Sequence, residues 1–305
     1  MSIAYDAREG IARITIDNAE RANVLDRQTA GDLAAAWTTA WEDRDVRVVL
    51  ITATGDRHFC AGHNLVPPQN ITADERELLR LERAIWSPGG TVHGTRTGVD
   101  GRMGDHYPRI WKPVIAAVNG WAAGAGLYLL LASTDIRIAC QEHARFKFAL
   151  LSQGWLGTGP GATLLARQLR YADAMRMLLT DDPLDADEAL RVGLVNEVVA
   201  HNDLLDRAES IAQRVAQLPP VAVRMMKEFV VRYREVPEDA AWHVQHLMNT
   251  LLQQITTDAQ EGPAAFNERR EPRFTGQLRR RGEPFAELTE EQRRRLEEAR
   301  QSESY

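Results

Sequence analysis

The chain has 305 residues, a formal net charge of −6 and 44% hydrophobic residues, enough for one large domain with a smaller satellite. The acidic balance argues against a general nucleic-acid binder, although a local basic patch could still bind a phosphorylated ligand. The two cysteines, Cys60 and Cys140, indicate neither a disulfide framework nor a metal site. The N-terminal residues lack a leader pattern and no apolar run reaches membrane-spanning length. We therefore expect a soluble, cytoplasmic protein.

The first part of the chain predicts two strands around a helix. Residues 11–17 (IARITID) alternate apolar and polar residues, which is typical of a strand. Asp26 is the predicted N-cap of a helix over 27–44. The apolar run 46–53 (VRVVLITA) predicts a buried strand, and a TGD turn then leads to 58–65 (HFCAGHNL). Cys60 in this stretch is predicted to be a small packing residue rather than a nucleophile.

The most informative stretch is 112–126, KPVIAAVNGWAAGAG. It predicts a buried strand over 113–118, a turn at Asn119-Gly120 and a glycine-rich entry into a helix over 127–132. A helix N-terminus carries unpaired N–H groups and partial positive charge. Small residues there let a ligand oxygen approach, as an oxyanion hole requires. One such turn by itself would favour the simpler explanation that its glycines only allow close packing. The second turn, in HFCAGHNL, favours two turns that each donate one N–H to the same oxygen.

The remaining stretches predict short strands followed by helices. Strands are predicted over 135–140 and 146–150, and residues 183–199 predict a helix ended by Gly193 and then a short strand. Helices are predicted over 74–86, 163–169, 171–180, 202–217, 221–235, 238–256, 258–270 and 289–300. Residues 87–105 contain six glycines, and so long an irregular loop is usually functional or disordered.

The HFCAGHNL and GAG stretches together resemble the two main blocks of the crotonase (enoyl-CoA hydratase/isomerase) superfamily, and the similarity extends through most of residues 10–275. The resemblance implies an α/β fold, with a crotonase-like spiral of ββα units over 1–203. A C-terminal helical oligomerisation region over 204–276 and a charged helical tail over 277–305 would follow. It also implies a homotrimer or a dimer of trimers.

The resemblance further implies an acyl-CoA-processing enzyme of the lyase, hydratase or isomerase type. The backbone amides of His63 and Ala125 would stabilise the enolate of a thioester. Coenzyme A would enter as part of the substrate, and we expect no further cofactor and no metal. By the same resemblance, the residues along coenzyme A would be Arg21, Ala22, Asn23, Leu25, Ala61, Leu65 and Phe266. The residues of the first loop fit an ordinary strand–helix connection equally well.

The sequence departs from the family at its acid/base positions. The hydratases of the family use two glutamates, since one group must act as base and one as acid. The matching positions hold Tyr128 (or Leu129) and Leu150, and residues 144–171 contain no Asp or Glu. Two other branches place an aspartate where this chain has Thr158. Candidate replacements are Tyr128, Asp100 and His106, with His93 as a further histidine; an ordinary core tyrosine is as good an interpretation of Tyr128.

Two other functions stay open at this point. A C–C bond hydrolase acting on a free β-diketone (a retro-Claisen reaction) would need the same oxyanion hole but no coenzyme A. A non-catalytic member that binds CoA esters would explain the loss of both glutamates. Affinity for coenzyme A distinguishes an acyl-CoA enzyme from the C–C bond hydrolase. Turnover of CoA esters distinguishes it from the non-catalytic member.

Overall fold

The computed structural model describes residues 2–64, 72–78, 110–157, 161–279 and 289–302. Its strands are β1 (Ile3–Arg8), β2 (Ile11–Ile16), β3 (Val48–Ala53), β4 (His58–Cys60), β5 (Val114–Val118), β6 (Trp121–Ala123), β7 (Ile136–Cys140), β8 (Arg145–Lys147), β9 (Leu184–Asp185) and β10 (Glu197–Val199).

The helices are α1 (Arg27–Glu42), α2 (Ala125–Ser133), α3 (Gly161–Gln168), α4 (Tyr171–Thr180), α5 (Ala186–Val192), α6 (Leu204–Ala216), α7 (Pro220–Tyr233), α8 (Glu238–Ile255), α9 (Asp258–Glu268) and α10 (Glu290–Ser302). Residues 73–78 are also helical. No helix of these described ranges is long and apolar enough to cross a membrane.

Two sheets share the strands. The larger has the order β1-β2-β3-β5-β7-β10 and is parallel except for the β1–β2 pair. The smaller has the order β4-β6-β8-β9 and is parallel except for β8–β9. Consecutive strands therefore alternate between the sheets: β3 then β4, β5 then β6, β7 then β8. This arrangement confirms the α/β class predicted for the chain.

The core lies around the middle of the larger sheet. Every residue of β3 and β5 is buried, so apart from Thr52 these strands are apolar rather than alternating, because both of their faces are covered. Helix α6 contacts β3, β5 and β7, and its Ala208 and Ala212 are fully buried. Small side chains on that face let the helix lie close to the sheet.

Most predicted elements are confirmed within a few residues, and Asp26 does cap α1, since its side chain accepts a hydrogen bond from the Thr29 amide. The predicted strand over 146–150 is too long. It ends at Lys147 because Ala149 has a φ of +58°, which is incompatible with a strand. The sequence also missed the strands β1, β4, β6 and β9. In β1 only Ile3 is buried, so this edge strand has no apolar periodicity to detect.

The chain divides into two compact units, Met1–Ala241 and Trp242–Tyr305. Within the second unit, the Asp258 carboxylate at the start of α9 accepts hydrogen bonds from the amides of Thr275 (2.8 Å) and Gly276 (2.9 Å). These bonds fasten the segment after α9 back onto the start of that helix. The predicted boundaries near residues 203 and 276 stay a prediction.

Candidate functional site

Two turns leave the same edge of the smaller sheet. Strands β4 and β6 are parallel neighbours, with His58 opposite Trp121 and Cys60 opposite Ala122, so their carboxyl ends lie side by side. A Cβ built on Gly62 would lie 2.8 Å from the Ala123 carbonyl oxygen and 3.1 Å from the Ala125 nitrogen. The turn after β4 and the turn after β6 are therefore in direct contact, and Gly62 is the residue that permits it.

The Ala125 amide lies at the first position of α2. Gly124 precedes it with φ +52° and ψ −120°, a conformation open to glycine alone. The first amides of a helix have no partner inside the helix and carry its positive end. A Cβ on Gly126 would lie 2.8 Å from the Cys60 Cβ. The glycines thus serve packing, and that packing is what brings the Ala125 amide beside Gly62.

The direction of the His63 amide follows from its pairing with the first loop. Leu25 and His63 form a parallel bridge, in which the Leu25 amide donates to the Gly62 carbonyl (2.8 Å) and the Asn64 amide donates to the Leu25 carbonyl (3.4 Å). Successive amides of an extended chain point to opposite sides. The His63 amide therefore points away from Leu25, on the other edge of this segment.

The loop before α1 lies along the same segment. The Ala61 amide donates to the Ala22 carbonyl (3.1 Å), so the predicted coenzyme A positions Ala22, Leu25 and Ala61 are neighbours. Asn23 is fully buried, and its Nδ2 donates to the carbonyls of Thr54 (3.0 Å) and His58 (2.6 Å). Its side chain fastens the loop to β4, while the exposed Arg21 pairs with Asp26 (2.8 Å).

Tyr128 and Leu150, the positions matched to the two glutamates, meet in space. A Cβ on Gly157 would lie 2.8 Å from the Tyr128 hydroxyl and 2.5 Å from Leu150 Cδ1. Tyr128 is only 5% exposed, and its ring centroid is 5.3 Å from that of Phe148. Burial, and secondarily the charge of Asp181, raises the pKa of the Tyr128 hydroxyl. At neutral pH this side chain is a hydrogen-bond donor and not a base.

Asp181 is a residue that the sequence did not single out. It is buried directly after α4 and accepts hydrogen bonds from the amides of Ala149 (2.6 Å) and Ser152 (3.0 Å). Burial acts to raise its pKa, but the hydrogen bonds from Ser152 and Ala149 and the charge of Lys147 lower it overall. The carboxylate is therefore ionised at neutral pH, and it is directed at backbone amides.

Several predicted site residues lie outside the described residues: Leu65, His93, Asp100, His106 and Thr158. Phe266 lies on α9 in the second unit and is 83% exposed. Near it in sequence, Arg270 pairs with Glu261 (2.6 Å). This ion pair lowers the pKa of Glu261 to about 2, chiefly through the hydrogen bond from Arg270.

In the ranges that the structure describes, no cluster of three His, Cys, Asp or Glu side chains could hold a metal ion.

The fold and the paired turns define an α/β protein of the crotonase class. The family model described as enoyl-CoA hydratase/isomerase matches residues 6–82 and 102–277, and the chain belongs to that family. It is 33% identical, over 279 residues, to the (E)-benzylidenesuccinyl-CoA hydratase of Thauera aromatica (90% of this chain, 100% of that protein). It is 31% identical, over 282 residues, to the carnitinyl-CoA dehydratase of Citrobacter koseri (90% and 98%).

Solved structures agree with this assignment. An enoyl-CoA hydratase/isomerase from Mycobacterium paratuberculosis superposes with a TM-score of 0.74 at 30% identity, over 91% of this chain and 99% of that one. The enoyl-CoA hydratase of Bacillus anthracis gives a TM-score of 0.76 at 27% identity, over 91% and 100%. The crotonase-like fold is thereby confirmed, and the protein is an enoyl-CoA hydratase/isomerase-like enzyme that processes acyl-CoA thioesters.

Proposed function

We propose that the enzyme adds water reversibly across the C2=C3 double bond of an enoyl-CoA, and that the thioester oxygen binds between the backbone amides of His63 and Ala125. The observation that carries the proposal is the contact of the two turns, in which Gly62 lies directly against the Ala125 amide. The relatives named as a hydratase and a dehydratase support water addition or removal over bond migration.

The chemistry follows from where charge develops. Attack of water at C3 gives an enolate whose negative charge lies on the thioester oxygen, and a proton then adds at C2. Fixed amides stabilise that charge most strongly where water is excluded, and one donor of this kind is worth about 10²–10³ in kcat. The positive end of α2 adds to the same field.

Proton transfer requires groups other than a glutamate pair. We assign to Tyr128 the role of a neutral donor that positions water or the reacting carbons, because its raised pKa excludes the role of base. Asp100 and His106 are the proposed candidates for the base, since a carboxylate and an imidazole can each accept a proton and an unperturbed imidazole has a pKa of about 6.5.

The proposed acyl group is bulky and apolar. Trp155 is 51% and Leu156 83% exposed, and both directly precede Gly157, where the Tyr128 hydroxyl and Leu150 meet. Exposed apolar side chains beside a reaction centre favour an apolar substrate group. The name of the Thauera relative, which carries a benzylidene group, agrees with an acyl chain of this kind. Coenzyme A would lie along Ala22, Leu25 and Ala61, and the role predicted for Phe266 stays a prediction.

We also propose that the enzyme is a homotrimer or a dimer of trimers. In the first unit, Met226 and Val230 of α7 are 54% and 51% exposed; in the second, Trp242 and Leu247 of α8 are 69% and 68% exposed. Apolar side chains at this density on helices indicate a protein interface. Sedimentation equilibrium tests it: a monomer at micromolar concentration would refute the assembly.

One experiment separates the candidate functions. Purified protein is incubated in isotope-labelled water with a panel of enoyl-CoA esters, aliphatic and aryl-substituted, and separately with a free β-diketone, and products are followed by mass spectrometry. We expect a thioester that has gained one labelled water, and loss of this product in Gly62→Ala. Cleavage of a free β-diketone without affinity for coenzyme A would instead identify the C–C bond hydrolase. Tight binding of CoA esters without any turnover would refute the proposal and favour the non-catalytic alternative.

A further inference from the structure

We propose that Asp181 is a positioning residue of this site, because its carboxylate holds the turn formed by residues 149–152 and thereby fixes the Tyr128 hydroxyl beside Gly157. The inference rests on the proposed function, since it assigns Tyr128 a part in proton transfer. Asp181 is distant in sequence from Tyr128. It acts through backbone amides and does not touch the substrate.

The first step is the position of the carboxylate. Asp181 ends α4 with a φ of +52° and is 5% exposed. Its Oδ1 accepts from the Ala149 amide at 2.6 Å, and its Oδ2 accepts from the Ser152 amide at 3.0 Å. A buried carboxylate is tolerated when it is hydrogen bonded in this way. Both oxygens are committed to one turn, so the side chain joins the end of α4 to the segment after β8.

The second step is the strain in that turn. Ala149 has a φ of +58°, in the left-handed region that a residue with a side chain adopts at a cost in free energy. The hydrogen bond from its own amide to Asp181 stabilises this conformation. Without it, the turn is free to relax, and Leu150, the next residue, moves with it.

The third step connects the turn to Tyr128. Leu150 Cδ1 and the Tyr128 hydroxyl lie 2.5 Å and 2.8 Å from the same point, the Cβ position of Gly157. A movement of Leu150 therefore changes the space around the hydroxyl. The Asp181 charge also acts on Tyr128, because it adds to burial in raising the pKa of that hydroxyl. The packing of Leu150 keeps the Tyr128 hydroxyl in place, and the charge of Asp181 helps to keep it protonated.

A double-mutant cycle tests the connection, with the enoyl-CoA that the wild-type enzyme hydrates. Tyr128→Phe is expected to lower kcat about 100-fold, as for loss of a proton-transfer group. Asp181→Asn keeps the shape but cannot accept both amides, and we expect about 10-fold lower kcat with KM within about 2-fold. In the Tyr128→Phe background, Asp181→Asn should cost less than about 2-fold more, because the group it positions is gone.

Asp182→Asn is the matched control. Asp182 is the next residue and is exposed, so its neutralisation should leave kcat and KM unchanged. If Asp181→Asn does not fold, it is measured in the Ala149→Gly background, where glycine adopts the positive φ without that cost. Because the strain that Asp181 holds is relieved there, Asp181→Asn should lower kcat by clearly less than about 10-fold in this background, and an undiminished loss would overturn the inference. Independent losses that multiply to about 1,000-fold in the double variant would overturn the inference. A wild-type enzyme without turnover would instead refute the proposed function, so the two failures are distinguishable.

Discussion

Gly62→Ala is the sharpest test of the two converging turns. Gly62 has a φ of +93°, and an added Cβ would lie 2.8 Å from the Ala123 carbonyl and 3.1 Å from the Ala125 nitrogen. Both neighbours are backbone atoms at the start of α2, so neither can move aside as a flexible side chain would. The substitution therefore has to push the two turns apart.

The expected size has two parts. The left-handed conformation costs a residue with a side chain about 1–2 kcal/mol, and overpacking a well-filled site costs about 1–3 kcal/mol. We therefore expect the free energy of unfolding to fall by about 2–5 kcal/mol. If displacement removes the Ala125 amide from the thioester oxygen, kcat should fall about 10²–10³-fold, the loss of one oxyanion donor.

Gly193→Ala is the matched control for the backbone conformation. Gly193 ends α5 with a φ of +79°, and a Cβ there would meet no atom within 4 Å. This variant should lose only the conformational part, about 1–2 kcal/mol, and keep its kcat. Urea unfolding gives the stability of both variants, and hydration of the enoyl-CoA gives their kcat. Full kcat in folded Gly62→Ala would show that the Ala125 amide plays no part in the reaction.

Three further predictions concern buried charges. Lys112→Met removes the donor to the carbonyls of Ala40 (2.7 Å) and Asp43 (2.5 Å) at the end of α1. Urea unfolding should show that the free energy of unfolding falls by about 2–3 kcal/mol, while kcat is retained. An unchanged unfolding midpoint would contradict this prediction. Burial lowers the pKa of Lys112 to about 8 from its ordinary value of 10.5. Between pH 8 and 10.5 the unfolded chain therefore binds a proton that the native state lacks. The wild type should therefore gain stability relative to Lys112→Met from pH 8 to 10.5, and parallel pH curves would count against it. The folded protein holds the pKa of Asp181 below its ordinary value of 3.8, so the stabilisation by this carboxylate is present above that pH and is lost as the pH falls below it. The stability advantage over Asp181→Asn should be constant from pH 6 to 8 and shrink below about pH 4; an advantage that persists in acid would refute the assignment.

The sequence predicted that the turns after β4 and β6 lie close together because the requirement for such a contact is local; their role as an oxyanion hole stays a proposal. A close approach of two backbone segments requires glycine at the point of contact. Gly62 and Gly126 lie at such points, and both are visible as glycines in the sequence. The position of Asp181 could not be predicted in the same way. Its partners lie 32 and 29 residues away in the chain, and no short-range pattern marks a carboxylate that caps a distant turn. The edge strand β1 was missed for a related reason, because its identity depends on pairing with β2.

The two halves of the site differ in how they depend on side chains. The amides of His63 and Ala125 are set by the backbone, and they keep their positions as long as Gly62 and Gly126 stay small. The groups that transfer protons are side chains, and a single replacement changes their chemistry. In this chain the two matched positions hold Tyr128 and Leu150, which meet at Gly157, and the charge that acts on Tyr128 belongs to Asp181, whose oxygens are committed to amides. The proposed stabilisation of the enolate by these two amides is therefore separable from proton transfer, and the proposed base, Asp100 or His106, would act from another part of the chain.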